Sequence, residues 1–477
     1  MPWSADAMTR GLAQLLPAER IMQGLAVARV YNADAYTVER HAPTAVVLPT
    51  STAEVQQIVR FCAAEGIPFT ARGAGTGLSG GAMPALGGVV ISTKKMTQFL
   101  EIRPEDRAMR VQTGSVNQKV SQAVAQYGLH FAPDPSSQSV STIGGNIAEN
   151  SGGPHTLKYG VTAPHILGLT WVDAHGEICE VGGPSGSGPG LDALSLMVGS
   201  EGILGVVTEA WIRLTPLPAR VETVLAAFPS IRTATEAVSA IVASGVIPAA
   251  LEMMDHAILS AVQAAFGLEY PEGTQALLLV ECDGSAEAAT AEINQVVDLC
   301  QKHGAISVTR AANEKERAQL WLARKKGVGA MGRLAPTIVT HDGVIPPSRL
   351  PEMLDEVYRV AEEAGVGVAN LFHAGDGNLH PIFYFDERDP GKVDAVVAAG
   401  EKIIRRCLEL GGSVTGEHGV GVEKADLLRM MYDEPSLQFQ RQVREIFCST
   451  DLCNPCKVIP DAKGCVEHKV RWRGVAT

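Results

Sequence analysis

The chain has no excess of positive charge: 40 lysines and arginines face 52 aspartates and glutamates, a formal net charge of -12 at pH 7. That balance argues against nucleic-acid binding through a basic surface. Long apolar runs are also missing. No stretch reaches the roughly 18 apolar residues that a membrane helix requires. The amino terminus, MPWSADAMTRGLAQLLPAER, shows neither the unbroken apolar core nor the cleavage site of a secretory signal. The expected location is the cytoplasm, or the inner face of a membrane reached peripherally through partner subunits. Cysteine is sparse as well. Nine cysteines, an odd number spread through 477 residues, do not make a disulfide framework and are expected to be reduced. Cys448, Cys453 and Cys456, with Cys465 following, have the spacing of a plant-type iron–sulfur site. The fourth cysteine comes early for that class, and NPCKVIP reads instead as a packed tail with a turn.

What is present is ordinary soluble-protein composition, 46% hydrophobic and 19% charged, in a chain long enough for two or three domains. TAVVLPTSTAEVQQIVRFCAAEGIPFT reads as strand, helix, strand. Ser51 or Thr52 can cap the helix, Glu54 lies in its first turn, and Val55, Ile58, Val59 and Cys62 make its apolar stripe. ILGLTWVDAHGEICEV reads as a hairpin turning near 174–176. The prolines of TPLPAR mark a boundary near 217. Beyond it, strands alternate with helices near 232–243, 284–303, 349–364 and 391–410, the pattern of an α+β unit with an antiparallel sheet.

Two glycine-rich stretches, ARGAGTGLSGG at 71–81 and STIGGNIAENSGG at 141–153, carry the first chemical signal. Strand rather than helix follows the first, so the context is not a Rossmann turn. As a pair they suit backbone N–H groups approaching a pyrophosphate, with Thr76, Ser79, Thr142 and Asn146 adding hydrogen bonds.

The second signal is VGVANLFHAGDGNLHPIFYF at 366–385. Asp-Gly is a strong hairpin turn, and a two-residue turn at Asp376 and Gly377 sets His373 opposite His380, with Cβ atoms about 4.5–5.5 Å apart. Two imidazoles so placed can share an ion. A third ligand must come from elsewhere, and SVTGEHGVG at 413–421 offers Glu417 and His418. Adjacent residues of an extended chain point in opposite directions, so one of the two can ligate while the other turns toward substrate. Two histidines and a carboxylate with an open position suit catalytic Zn²⁺, and non-haem Fe²⁺ uses the same set.

Residues 40–217 resemble the flavin-binding domain of the vanillyl-alcohol oxidase superfamily, with RGAGTGLSGG and PSSQSVSTIGGNIAENSGG as its phosphate loops and SEGILGVVTEA as its third cofactor segment. The whole chain is similar to the D-2-hydroxy-acid dehydrogenase branch, which takes in D-lactate and D-2-hydroxyglutarate dehydrogenases and the FAD-binding subunits of bacterial glycolate oxidases. The resemblance implies an α+β fold: an N-terminal segment 1–39, a two-subdomain FAD-binding domain 40–217, a cap domain 218–420 with antiparallel sheet and metal site, and a helical segment and tail 421–477 packing back on the FAD domain. It implies FAD contacts at Arg72, Gly73, Ala74, Gly75, Thr76, Gly77, Leu78, Ser79 and Gly80. It also implies them at Pro133, Asp134, Ser139, Thr142, Gly145, Asn146, Asn150, Gly152 and Gly153, at Glu201, Gly205, Val206 and Val207, and at Asn454 in the tail. Some members bond the flavin covalently through a histidine in the first loop; Gly73 to Leu78 contain none, so the FAD is expected to be noncovalent. NPCKVIP resembles the family's N-P-G-K segment with Cys456 in place of glycine, a change that strains the turn if φ there is positive.

The branch carries H-x6-H and E-H at corresponding points, which implies a divalent metal, zinc above all, on His373, His380 and Glu417. Arg324 stands where the family keeps its substrate arginine, suited to grip a carboxylate with two parallel hydrogen bonds. His418 is the expected base for the hydroxyl proton. The hydroxyglutarate enzymes have a lysine near Thr340 and His341, and its replacement points to a small monocarboxylate. The implied reaction is glycolate to glyoxylate, with electrons passing to flavoprotein and iron–sulfur partner subunits and then to a quinone, not to NAD and not to oxygen. The alternative is a self-sufficient D-lactate dehydrogenase, one polypeptide forming pyruvate with a quinone or cytochrome acceptor. A non-catalytic flavin-binding subunit would have no need of Arg324, His373, His380, Glu417 and His418 together.

Overall fold

The computed structural model describes residues 4–186 and 188–460. They form two compact units, one of residues 4–152, 161–217 and 417–460, the other of 153–160 and 218–416. Among the described residues no helix is long and apolar enough to cross a membrane.

In the first unit, the stretch 44–70 folds as its pattern dictates. Ser51 caps the helix Thr52–Glu65 by accepting the Glu54 N–H at 3.3 Å, and Gly66 ends it at φ +62°. Val55, Ile58, Val59 and Cys62 are fully buried beside Ala45, Val47, Ile67 and Phe69. Each aliphatic side chain buried there contributes about 1.5–3 kcal/mol. Strands Ala45–Val47, Val89–Ser92 and Phe69–Arg72 run parallel, and the last delivers the first glycine loop at its carboxyl end. A second sheet of five antiparallel strands runs in the order Phe99–Arg103, Ala108–Gln112, Val206–Arg213, Ile166–Val172, Ile178–Gly182. Its last two strands are the hairpin legible in the sequence, closed by Asp173 Oδ1 accepting the N–H groups of His175 at 2.9 Å and Glu177 at 2.8 Å.

The second glycine stretch differs from its reading as a loop, because its centre is the helix Ile143–Glu149. Its glycines allow close packing: a Cβ on Gly144 would meet Thr113 Cβ at 2.9 Å.

The second unit is built on a nine-stranded antiparallel sheet whose main path runs Ser307–Arg310, Arg220–Phe228, Ala276–Gly284, Ala250–Asp255, Gly367–His373, Asn378–Leu379, Gly343–Val344. Strand Ala276–Gly284 is buried along nearly its whole length, so apolar side chains of both parities are covered. Helices Ile231–Ala243, Ala286–Lys302, Leu350–Ala364 and Lys392–Glu409 stand within a few residues of where the sequence places them. Helices His256–Phe266 and Leu322–Ala330 pack through Ile258, Val262, Ala323 and Ala330 with Met254, Leu277 and Leu371. HAILSAVQAAF carries polar residues at His256, Ser260 and Gln263, a helical spacing that the sequence reading passed over.

The excursion 153–160 is held in this unit by two buried carboxylates. Asp283 accepts from Lys158 Nζ and Tyr159 OH. Glu281 accepts from His155, Thr223, Arg317 and Trp321. Burial pushes Glu281 up, but His155 and Arg317 outweigh it and hold the carboxyl well below its usual range.

Candidate flavin cradle and metal-binding histidines

The first glycine loop turns through Gly75 at φ +73° and Gly80 at φ +81°. Among the described residues, no amide N–H from Ala74 to Gly81 donates to a protein acceptor, the condition of a backbone nest for an anion. The second segment lies alongside, since a Cβ on Gly73 would come within 2.2 Å of Thr142 Oγ1. Thr142 caps the helix Ile143–Glu149 by accepting the Gly145 N–H at 3.2 Å. Ser141 Oγ, Asn146 Nδ2 and Ser151 Oγ are buried there without a protein partner. Buried polar atoms normally find partners, so these segments fit a polar, pyrophosphate-bearing cofactor. Gly205, at φ +140°, lets the strand beginning at Val206 and Val207 approach Val172, where a Cβ would stand 2.5 Å from the carbonyl oxygen.

Four side chains expected at the cofactor are instead engaged by the protein. Arg72 Nη1 donates to the carbonyls of Ala33 at 2.8 Å and Ala82 at 3.3 Å. Ser79 Oγ donates to the His418 carbonyl at 2.9 Å. Glu201 accepts the N–H groups of Val420 at 2.6 Å and Gly421 at 2.7 Å. Asn454 Nδ2 donates to the carbonyls of Gly81 at 3.0 Å and Glu201 at 2.6 Å. All four are buried, and satisfying them within the protein avoids the cost of an unpaired polar group. They brace the loops. Asn150 does the same, accepting the Ala163 N–H at 2.8 Å, while Ser139 is exposed.

Sequence reading missed two further titratable groups in this unit. Lys457 Nζ donates to the carbonyls of Gly81 and Met83 and to Asn454 Oδ1. Burial pulls its pKa down to about 8 against the attraction of Asp34, Glu201 and Glu149. Burial, then the neighbouring Glu201 and Asp34, hold the Glu149 carboxyl well above its usual range. A lysine inside NPCKVIP was the visible signal for the first; nothing in the pattern marked the second.

The cysteine cluster does not form a metal site among the described residues. Cys448 and Cys453 are free and buried, with Cys453 Sγ 3.1 Å from the Gly202 carbonyl oxygen; Cys465 lies outside the described residues. Cys456 is disulfide-bonded, so the expectation of a fully reduced chain fails at that position. Its φ is +63°, the left-handed conformation that favours the glycine it replaces.

In the second unit the histidine hairpin forms with a different register. His373 pairs with Asn378, not with His380. The turn spans 374–377, and within it Asp376 Oδ1 accepts the Asn378 N–H at 3.1 Å. The shift preserves parity. Asn378 and His380 are two apart, so His380 lies diagonally across from His373 on the same face. Their ring centroids are 5.1 Å apart, nearly perpendicular, and ligand nitrogens of the two lie within 4.8 Å of one another.

Two carboxylates unforeseen in the sequence complete this cluster. Glu252, opposite His373 in the neighbouring strand, is fully buried and accepts from His373 Nδ1 at 2.6 Å. Its other oxygen pairs with Arg324 Nε. Burial pushes the Glu252 carboxyl up, but Arg324 and His373 outweigh it and hold it below its usual range. Asp342 Oδ1 lies 3.5 Å from His380 Nε2, while Oδ2 accepts from Thr415 Oγ1 and, at 2.9 Å, from the Gly416 N–H. The signal for Glu252 was an acidic residue inside the apolar strand ALEMMD, which requires a buried partner.

Arg324 reaches Glu252 because its helix packs tightly: a Cβ on Gly327, one turn later, would come within 2.4 Å of Leu371 Cδ1. Arg324 is 5% exposed, and among the described residues its Nη1 and Nη2 donate to no protein acceptor. His341 is buried edge-on to Phe383 and so close to Gly400 that a Cβ there would stand 2.2 Å from the imidazole. Glu417 and His418 are half-buried and follow Gly416 as the chain enters the first unit.

A flavin cradle in one unit and a cluster of arginine, histidines and carboxylates in the other describe a flavoenzyme of the vanillyl-alcohol oxidase type. Residues 43–182 match the FAD binding domain family, and residues 217–458 match the C-terminal domain of the FAD linked oxidases. The chain belongs to the FAD-linked oxidases and is an FAD oxidoreductase. It is 40% identical over 437 residues to the glycolate oxidase subunit GlcD of Escherichia coli (strain K12), covering 92% of this chain and 88% of that protein. It is 34% identical over 421 residues to a D-lactate dehydrogenase of Archaeoglobus fulgidus, covering 87% and 91% respectively. The structure of p-cresol methylhydroxylase with substrate bound shares the fold, with a TM-score of 0.77 at 17% identity over 95% of this chain and 96% of that one. The α+β architecture read from the sequence is thereby borne out.

With no histidine from Gly73 to Leu78, acid precipitation of the purified protein is expected to leave its FAD in the supernatant. Flavin pelleting with the protein would show a covalent bond.

Proposed function

We propose that the protein oxidises a small 2-hydroxy acid, glycolate to glyoxylate, as the catalytic subunit of an assembly whose partners carry the electrons onward to iron–sulfur centres and a quinone. The observation that carries this reading is the Arg324, Glu252, His373 and His380 cluster, in which an arginine fork unused by the protein stands beside two imidazoles on one face. The similarity to a glycolate oxidase subunit supports glycolate, and that to D-lactate dehydrogenases keeps D-lactate as the alternative.

The roles follow from the chemistry of each group. Arg324 holds the substrate carboxylate through its two terminal nitrogens. His418 takes the hydroxyl proton, a task matched to an imidazole near neutral pH. Bound FAD would supply the hydride acceptor for the α-hydrogen. His373, His380 and Glu417 would hold a divalent metal, zinc by donor type, which would lower the hydroxyl's pKa. Support for Glu417 comes from the chain itself: it follows Gly416, whose N–H is fixed on Asp342, the carboxylate beside His380. His341, packed against Gly400 and Phe383, stands where the hydroxyglutarate enzymes keep a lysine for a second carboxylate.

The test is a panel of glycolate, D-lactate, L-lactate and D-2-hydroxyglutarate with a reducible dye as acceptor. Glycolate is expected to exceed D-2-hydroxyglutarate in kcat/KM by at least about tenfold, the gap left by one missing charged contact. A preference for the dicarboxylate contradicts the proposal.

A further inference from the structure

Glu252 stands where the two halves of the proposed site meet within one unit, and nothing in the reaction requires it to touch substrate. Its place is fixed by strand register. Glu252 pairs with His373 across the sheet, and the next pair on that face, Met254 with Leu371, is core. Gly327 brings the helix Leu322–Ala330 close against Leu371, which sets Arg324 over the Glu252 carboxylate. One oxygen accepts from Arg324 Nε and the other, at 2.6 Å, from His373 Nδ1.

The chemistry of the two partners is restrictive. Arg324 Nε–H can only donate. A carboxylate can only accept, so the His373 nitrogen facing it must carry the proton. With Nδ1 protonated in the neutral imidazole, the lone pair is on Nε2. Carboxylates that fix a metal-ligating imidazole in this way commonly tune metal affinity by 10–100-fold.

We propose that Glu252 is a positioning residue that fixes the His373 tautomer and the Arg324 fork together, and that only a side chain with two acceptor oxygens can do both. This rests on the reading of His373 as a metal ligand and Arg324 as the carboxylate grip. Glutamine has one acceptor oxygen. In Glu252→Gln that oxygen goes to the charged guanidinium, and the amide NH₂ then faces Nδ1. Nδ1 must become the acceptor, the proton moves to Nε2, and the lone pair needed by the ion is lost. Removing the competing donor resolves the conflict. With Arg324→Met, the amide oxygen of Glu252→Gln is free to accept from His373 Nδ1–H, and the tautomer is restored.

The experiment compares wild type, Glu252→Gln, Arg324→Met and the double variant as full-length FAD-loaded proteins, stripped of metal by chelation and titrated with Zn²⁺. Glu252→Gln is expected to weaken zinc binding by about 10–100-fold, Arg324→Met to change it by less than about threefold, and the double variant to bind as Arg324→Met does. Merely structural damage predicts the opposite, a double variant at least as impaired as the worse single one. A Glu252→Gln protein that binds zinc like wild type, or a double variant no better than it, overturns the proposal. ¹⁵N spectra of His373 in the metal-free wild type keep the inference testable even if Glu252→Gln does not fold. Nδ1–H is expected there, and a bare Nδ1 overturns it. If wild type binds no zinc yet shows Nδ1–H, the metal reading fails while the tautomer assignment stands.

Discussion

Replacing His418 with alanine is expected to lower kcat by about 10²–10⁴, the range for loss of a positioned general base, while FAD content and the flavin spectrum stay as in wild type. The separation is possible because the backbone around His418 is held by other groups. Its carbonyl accepts from Ser79 Oγ, and the N–H groups of Val420 and Gly421 bond to Glu201. The variant therefore loses an imidazole and keeps its loop. Steady-state turnover with glycolate and a dye measures the fall. The pH profile supplies the second readout, since the acid limb of kcat/KM, where the base becomes protonated, should vanish in the variant. Turnover equal to wild type would support the reading of the chain as a non-catalytic flavin-binding subunit.

His380→Ala is expected to abolish stoichiometric zinc and lower kcat/KM by about 10³, which corresponds to the several kcal/mol that a metal contributes to stabilising developing alkoxide charge. The loss of His380 leaves His373, whose Nδ1 is engaged by Glu252, and Asp342, whose Oδ2 holds Thr415 and Gly416. Elemental analysis beside the kinetics decides the cause. Metal retained at wild-type stoichiometry with activity lost would make His380 a substrate contact, and activity retained without metal would remove the ion from the chemistry.

What the sequence revealed, and what it concealed, follows the range of the interactions. The helix Thr52–Glu65, the hairpin of Ile166–Val172 with Ile178–Gly182, and four helices of the second unit are governed by caps, turns and periodicity within one segment, and all were legible. His373 and His380 were legible as a same-face pair even though their register was misread, because a shift that preserves parity leaves both side chains on one face. The turn itself was misjudged because Asp376 uses its carboxylate to bond Asn378, a choice invisible in the dipeptide Asp-Gly.

Glu252 and Asp342 were missed for a different reason. Each is defined by partners 72 to 121 residues away, Arg324 and His373 for Glu252, Thr415 and Gly416 for Asp342, and no local pattern announces such a pairing. The same range effect explains Arg72, Ser79, Glu201 and Asn454. Their motifs suggest cofactor contacts, yet their polar atoms are bound to Ala33, His418, Val420 and Gly81 from distant segments. A motif reports where a residue sits, and long-range packing decides which way its side chain is used.

The most direct measurement is anaerobic single-turnover reduction of the bound flavin by glycolate, performed on metal-loaded protein, on protein stripped by chelation, and on stripped protein given Zn²⁺ again. The account predicts rapid bleaching of the oxidised flavin in the first sample, a rate lower by about 10³ in the second, and recovery in the third. Bleaching at the same rate in all three, or in none with any 2-hydroxy acid, would contradict it.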